Sequence, residues 1–409
     1  MVNMHQLIYA LSSALDCVGI DDIHHGKRVA YMALETAREL NASDSDLIDL
    51  FHLSLLHDCG VPSSRIHEKL VSTLDWEGAE AHCIRGYHLL KAIPKLKHLS
   101  DMVLYHHTHF EMLTQIDIDA RTAKLANLIF LTDRIDALIA QHIEEKAQSI
   151  ITIAEQIKDE VGALKLTFFD PELVEAFQKV SAKESFWFTL DEENLQSYFE
   201  NYLQEIGKME ISLGSIADIV QLFAVFVDAR SPHTADHLYD VAGLSRYIAQ
   251  KAGLDAETCE KIRIAGLLHD LGKLKIPDEI IDREIPLSDN ELNIIKRHPY
   301  ETYKILSKID GLEDIANWAA QHHENLKGTG YPYHKDDISL PVMVLAVADI
   351  FQALAQNRPY REGMHPNQIL EILKKKAGLG ELDRYIVEII EENLQKCWEI
   401  SMINSSHYV

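Results

Sequence analysis

The sequence predicts an all-α protein built from two tandem copies of one helical domain. Two observations predict it. Apolar residues recur almost throughout at spacings of three and four while strand-like alternation is nearly absent, and one ordered set of histidines and aspartates occurs twice at matched intervals. The 409 residues leave room for two or three domains with large buried cores.

Taken in order, the chain opens on Met1-Val2-Asn3-Met4-His5-Gln6-Leu7, which has no basic region ahead of an apolar run, so no signal peptide is expected. From Ser43 to Leu56, Leu47, Leu50, Phe51 and Leu55 mark one face of a helix. Gly60-Val61-Pro62 then reads as a loop. The segment from Asp191 to Ile211, rich in acidic and aromatic residues, reads as a connecting helix. Helical spacing returns in Ile216, Ile219, Val220, Phe223 and Val227, and again in Ile369, Leu370, Ile372 and Leu373. Gly272 to Pro277 and Gly328 to Pro332 are loops by composition. Ser339-Leu340-Pro341 starts the helix that carries Asp349, because proline is tolerated in a first turn. The most apolar run, Val342 to Phe351, is interrupted by Asp349 and is too short to span a bilayer.

Composition excludes some classes of function. With 64 acidic and 39 basic residues the net charge is -25, which argues against a general affinity for DNA, RNA or an anionic membrane. An anionic ligand would need positive charge concentrated locally. The five cysteines, Cys17, Cys59, Cys83, Cys259 and Cys397, are scattered, odd in number and without a CxxC pair. They predict free buried thiols in a reducing cytoplasm rather than a disulfide framework.

The repeat sets the domain organisation. His25, His57, Asp58, His106, His107 and Asp133 have counterparts in His237, His269, Asp270, His322, His323 and Asp349. His25 precedes His57 by 32 residues, as His237 precedes His269, and His107 precedes Asp133 by 26, as His323 precedes Asp349. His82 and His298 each stand 24 residues before the His-His pair, so the register slips only once, by four residues, after the His-Asp pair. Phe169-Asp170-Pro171-Glu172-Leu173-Val174 also corresponds to Leu382-Asp383-Arg384-Tyr385-Ile386-Val387. The expected domains are therefore 1–195 and 220–409, joined by a linker helix over 196–219.

A lone histidine on an apolar helix is ordinarily a hydrogen-bonded core residue. A whole ordered set that recurs in metal-binding residue types is different, because buried imidazoles and carboxylates need partners and a metal satisfies several at once. His233 and His237, four apart, share one helical face. The adjacent His269 and Asp270 suit neighbouring metals, with the carboxylate bridging. With His298, His322, His323 and Asp349 the second half offers eight candidate ligands, more than one tetrahedral zinc needs. Imidazole and carboxylate ligands without cysteine suit iron or manganese at two or more centres.

These residues carry a family resemblance. His269-Asp270 with Gly272-Lys273, His322-His323-Glu324, Gly330-Tyr331-Pro332, Ala348-Asp349 and Arg358-Pro359-Tyr360-Arg361 resemble the HD-GYP phosphodiesterases, a branch of the HD superfamily of metal-dependent phosphohydrolases. The resemblance covers about Asp228 to Val387. It implies an HD-type helical bundle and hydrolysis of a cyclic dinucleotide, cyclic di-GMP or 3',3'-cyclic GMP-AMP, to a linear dinucleotide or onward to mononucleotides. It also implies two or three divalent metals, iron or manganese. The implied ligands are His237, His269, Asp270, His298, His322, His323 and Asp349, and His233 stands where some members bring a ligand to a third metal. Asp270 and Lys273 are implied as catalytic, Lys273 reaching the phosphate to neutralise charge or protonate the leaving oxygen. Arg358 and Arg361 suit a second phosphate or a guanine edge. Gly330, Tyr331 and Pro332, an ordinary turn by composition, are implied to shape the substrate pocket or to dock a partner, whether a second copy in a homodimer or another protein.

The sequence also departs from the family. Lys327 and Gln352 stand where the family usually has Asp. The first half keeps His25, His57, Asp58, His82, His106, His107 and Asp133 as a second metal framework, but Val61 replaces the lysine and Thr108-His109-Phe110 follows the His-His pair. The first domain is accordingly expected to be a poor hydrolase with a regulatory or structural role. Two competing readings are a non-catalytic cyclic-dinucleotide sensor, which the retained Lys273 opposes, and an HD-type hydrolase of another nucleotide, which Gly330-Tyr331-Pro332 opposes.

Overall fold

The structure, a computed structural model, describes residues 1–15, 24–61, 78–146, 149–229, 237–281, 287–357 and 362–402. The chain divides into two compact units, His5–Met209 and a second formed by Met1–Met4 with Glu210–Val409. Both are helical. Among the described residues the only sheet pairs Val2–Asn3 with Glu210–Ile211, antiparallel, inside the second unit.

Five helices of the first unit carry its cluster of histidines and aspartates: α1 (His25–Glu39), α2 (Asp44–Leu56), α3 (Glu80–Ala92), α4 (Ser100–Tyr105) and α5 (Ala120–Lys146). The second unit repeats them as α6 (His237–Lys251), α7 (Ala256–Leu268), α8 (His298–Leu306), α9 (Glu313–Ala320) and α10 (Leu340–Ala355). α1 and α6 are both 15 residues long, and α2 and α7 both 13, so the matched spacing of the sequence is matched helix geometry.

Local chemistry sets the starts of these helices. Ser43 accepts from the Asp46 N–H at 3.2 Å ahead of α2, and Asp255 accepts from the Thr258 N–H at 3.0 Å ahead of α7. Each cap contributes about 1 kcal/mol. α10 begins after Ser339 with Pro341 in its first turn, as expected. Its sequence is apolar nearly all round because it packs against α6, α7 and α9 together, as α5 packs against α1, α2 and α4. Each fully buried Leu, Ile or Phe there contributes roughly 1.5–3 kcal/mol. Asp349 therefore sits in the most apolar helix of its unit, and Asp133 in the buried middle of α5.

The helix expected over 196–219 is not continuous. Helix Glu192–Glu205 ends before Gly207, whose φ of +73° is a left-handed conformation that favours glycine and stops a helix. Strand Glu210–Ile211 follows, and the next helix runs Leu213–Ala229, burying Ile216, Ile219, Val220, Phe223 and Val227. Cys59, Cys83, Cys259 and Cys397 are buried free thiols, and Cys17 lies outside the described residues. Among the described residues no helix is long and apolar enough to cross a membrane.

Candidate metal centres

In the second unit every ligand candidate among the described residues except Asp349 comes from a helix end rather than a helix middle. α7 stops at Leu268, so His269 is its C-cap and Asp270 opens the turn into a 3-10 segment, Leu271–Lys275. The sequence placed both on an apolar helix. Apolar periodicity does not mark where the last turn lies. The last carbonyls of a helix lack intrahelical donors, and His269 Nδ1–H supplies one, donating to Gly266 O at 2.8 Å. His322, just beyond α9, donates likewise to Ala319 O at 2.6 Å, and His298, heading α8, donates to Ile295 O at 2.7 Å. A carbonyl only accepts, so each bond assigns the proton to Nδ1 and leaves Nε2 with its lone pair facing inward.

Those lone pairs converge. His298 Nε2 lies 3.3 Å from His322 Nε2 and 3.2 Å from Asp270 Oδ1. Asp270 Oδ2 lies 3.4 Å from His269 Nε2 and 3.9 Å from His237 Nε2, while Asp349 Oδ1 lies 3.3 Å from His237 Nε2 and 3.8 Å from His269 Nε2. Asp270 thus sits between a His298/His322/His323 group and a His237/His269/Asp349 group, each with ligand atoms within 4.8 Å of one another. His269 Nε2 and Asp270 Oδ1 are buried and, among the described residues, have no hydrogen-bond partner. Orphaned buried atoms of this kind are costly unless an ion satisfies them, so the residues fit a metal centre.

The electrostatics prepare the groups as ligands. Burial lowers the basicity of His322 strongly, with His323 and His269 adding to it, and pushes His323 down to about 3. Burial works to raise Asp270, but His269 and Lys273 outweigh it and hold its carboxyl well below the usual range. At His269 burial also works to lower the imidazole, but Asp270 and Asp349 outweigh it and raise it. Burial thus favours neutral imidazoles at His322 and His323 beside an ionised Asp270.

Three neighbours hold this arrangement, Thr302 and Asp240, which the sequence reading passed over, and Gln352, which it noted only as a departure from the family. Thr302 Oγ1 accepts from the Gly272 N–H at 2.9 Å and donates to His269 O at 3.1 Å, pinning the turn that bears Asp270. Gln352 Oε1 accepts from His237 Nδ1, and Gln352 Nε2 donates to Asp240 Oδ2 at 3.5 Å. The available signal was Gln352 itself, since the first half has Asp136 at the matching place.

Lys273 hydrogen-bonds Asp270 Oδ2 and is about one-third exposed, so it borders the cluster with one face open. The Gly-Tyr-Pro loop folds back on the histidines. Tyr331 packs on His323 with ring centroids 4.6 Å apart, and its N–H donates to His323 O at 3.2 Å. A Cβ at Gly330 would stand 2.4 Å from His323 O, so only glycine permits the approach. The Tyr331–Pro332 bond is cis. Glu324 fastens the loop's far side, accepting from the Tyr333 N–H at 2.6 Å and the Lys335 N–H at 3.1 Å. His233, Arg358 and Arg361 lie outside the described residues.

The first unit brings its own set together. His57 and His106 donate Nδ1–H to Ser54 O and Val103 O at 2.7 and 2.6 Å, His25 Nε2 lies 3.3 Å from His57 Nε2, and His82 Nε2 lies 3.2 Å from His106 Nε2. Asp58 Oδ1 is 3.5 Å from His82 Nε2, and Asp133 Oδ1 is 3.4 Å from His25 Nε2. Val61, in the lysine's place, is buried. Where the second unit has its loop, the first has a packed aromatic plug: His109 meets Phe168 edge-on at 3.8 Å between centroids, and the Phe110 N–H donates to Phe168 O at 2.9 Å.

Fold and clusters together define a class, the tandem HD domain. HD-domain family models match residues 221–386 and 22–138. Over 99% of its length the chain is 36% identical to the 3'3'-cGAMP-specific phosphodiesterase 1 of Vibrio cholerae, covering 95% of that protein. It is 33% identical to the cyclic di-GMP phosphodiesterase response regulator RpfG of Xanthomonas campestris over 37% of this chain and 41% of that one. The crystal structure of V-cGAP3, a cyclic GMP-AMP specific phosphodiesterase of V. cholerae, matches 97% of this chain and 98% of that chain with a TM-score of 0.64 at 22% identity, a likeness of fold. The chain belongs to the HD-superfamily cyclic-dinucleotide phosphodiesterases, enzymes that depend on metal.

Proposed function

We propose that the second unit is the hydrolase, that 3',3'-cyclic GMP-AMP is its preferred substrate, and that the first unit supports it without turning over cyclic dinucleotides. The observation that carries the placement is that the second unit combines the ligand set with Lys273 and the Gly-Tyr-Pro loop, whereas the first has buried Val61 and an aromatic plug at those places. The substrate preference rests on 36% identity along nearly the whole chain to a relative named for that substrate. Cyclic di-GMP is the second reading, favoured by the relative that matches 37% of this chain.

His237, His269, Asp270, His298, His322, His323 and Asp349 would hold two or three divalent ions, iron or manganese by the imidazole-carboxylate character of the donors. Such ions supply Lewis acidity toward phosphate oxygens and acidify water. The chain's own groups do the rest. Lys273, anchored on Asp270, offers its cation to a phosphate oxygen as charge develops, and a proton to the departing 3'-oxygen. Tyr331 offers an aromatic face beside His323. Addition of water across one phosphodiester breaks its P–O3' bond and gives a linear dinucleotide with a 5'-phosphate. The open side of the same loop is the candidate docking point for a second copy or another protein, and the free thiols fit a cytoplasmic setting.

The test is turnover of a cyclic-dinucleotide panel by protein purified without oxygen and loaded with iron or with manganese. Asp270→Ala is expected to lower turnover by about 10³-fold, the effect of removing roughly 4 kcal/mol of transition-state stabilisation, while His57→Ala leaves it essentially unchanged. The reverse pattern would move the active site to the first unit, and inactivity with both metals would refute the assignment.

A further inference from the structure

The two clusters differ in what faces them, and we propose that the first unit holds a single metal ion, at Asp58, His82, His106 and His107, with the Arg134 guanidinium taking the electrostatic place of a second ion on Asp133. The proposal rests on the reading that these clusters bind divalent metal. Asp58, His82, His106 and His107 offer ligand atoms within 4.8 Å of one another, three imidazoles and a carboxylate, the complement of one four-coordinate ion. His107 Nε2 is buried and, among the described residues, has no hydrogen-bond partner. That is the position an ion would fill.

The other half of the cluster is already neutralised from inside the protein. Arg134 places Nη2 2.7 Å and Nε 3.2 Å from Asp133 Oδ2, with both side chains 2% exposed. Arg28 places Nε 2.6 Å from Asp136 Oδ1 and Nη2 2.8 Å from Asp136 Oδ2, and the same Oδ2 pairs with His25 Nδ1 at 2.7 Å. A guanidinium does not lose its proton in a protein, so Asp133 already carries one permanent cation, while Arg28 is balanced by Asp136, whose carboxylate stands behind His25. A dication at His25 and Asp133 would have to compete with Arg134 for the Asp133 carboxylate and would be repelled by it at that distance.

In the second unit the matching positions are Ile350 for Arg134, Gln352 for Asp136 and Asp240 for Arg28. Neither guanidinium has a counterpart there. The first unit has kept its ligands yet has replaced a paired-ion arrangement, the kind that clamps a phosphodiester from two sides, with an ion and an arginine.

The test uses the full chain carrying His269→Gln, Asp270→Ala and His322→Gln, which take a ligand from every group of the second cluster, stripped with a chelator and titrated with Co(II). One equivalent is expected, with the intense visible absorption of a four-coordinate ion. In this background His82→Gln should abolish binding, His25→Gln should keep it, and Arg134→Met should raise the stoichiometry from one to two. Zero or two equivalents with Arg134 intact, or equal losses from His25→Gln and His82→Gln, would overturn the proposal. A folded Arg134→Met chain that still binds one equivalent would overturn the part assigned to the arginine. Should Arg134→Met fail to fold, the contrast between His25→Gln and His82→Gln decides by itself. Failure of the second-unit reading shows separately, as a chain bearing His82→Gln alone that takes up no Co(II).

Discussion

Gly272→Ala would separate the geometry of the second unit from its mere composition. Gly272 lies in the turn between Asp270 and Lys273, and an added Cβ would stand 2.1 Å from His298 O, 2.8 Å from Thr302 N and 2.9 Å from His298 C. All three are backbone atoms of α8, so no side chain can swing aside. Reaching an ordinary 3.4 Å contact requires the turn and α8 to part by about 1.3 Å. Parting them stretches the 2.9 Å bond from Gly272 N–H to Thr302 Oγ1, worth about 1 kcal/mol net, on top of about 1–3 kcal/mol for overpacking. A loss of about 2–4 kcal/mol lowers the melting temperature of a unit this size by about 5–15 °C in calorimetry. Asp270 and His298 ride on the two parts that separate, and a displacement of about 1 Å at reacting groups costs on the order of 10²-fold in kcat/KM. Gly60→Ala is the matched control, since its Cβ would stand 1.9 Å from His82 O and 2.5 Å from Gly86 N in the first unit. It should cost comparable stability and leave turnover alone. If Gly272→Ala melts within about 0.5 kcal/mol of the parent and keeps full turnover, the close approach and the reasoning built on it are wrong.

Two further predictions address the loop and the first unit's core. Glu324→Ala removes the buried carboxylate that accepts from Tyr333 and Lys335; amide exchange at those two residues should accelerate at least about tenfold, the equivalent of 1.4 kcal/mol, with metal content unchanged, and unaltered exchange would count against this anchoring role. His52, which burial pushes down to about 3, pairs with His5 at 2.9 Å. The unfolded chain binds a proton there near pH 6.5 and the folded chain only near pH 3, so stability falls as pH drops through that window, by up to about 1.4 kcal/mol per pH unit. His52→Asn should flatten the slope of urea stability against pH between 6.5 and 4 by about one proton, and identical slopes would show that His52 is not the group responsible.

The fold class was legible because helical period and a repeated ligand pattern do not depend on context. Leu47, Leu50, Phe51 and Leu55 mark α2, and Ser339-Leu340-Pro341 marks the start of α10, from local chemistry alone. The helix ends were less legible. His269 caps α7 rather than extending it, and Gly207 interrupts what read as one connecting helix. Long-range pairings were not legible at all. Arg134 follows Asp133 directly in sequence, but only the packing of α5 shows that its guanidinium folds back onto that carboxylate. Gln352 reads as a departure from a family pattern until Asp240, 112 residues away, is seen to orient its amide toward His237.

The tethering of imidazoles to carbonyls three residues earlier ties ligand direction to helix length. His57, His106, His269, His298 and His322 each take bearing from a local backbone oxygen, so their aim is set before distant parts of the chain meet. A single residue inserted into α7 ahead of Gly266 would turn everything after it by about 100° and advance it by about 1.5 Å, carrying His269 and the carbonyl that orients it off the other ligands together. Substitution on the solvent face of α7 is tolerable, whereas a change of length between its packed face and His269 is not. That asymmetry accounts for two copies that share helix lengths of 15 and 13 residues while differing in nearly every residue that is not a ligand, a tether or a core contact.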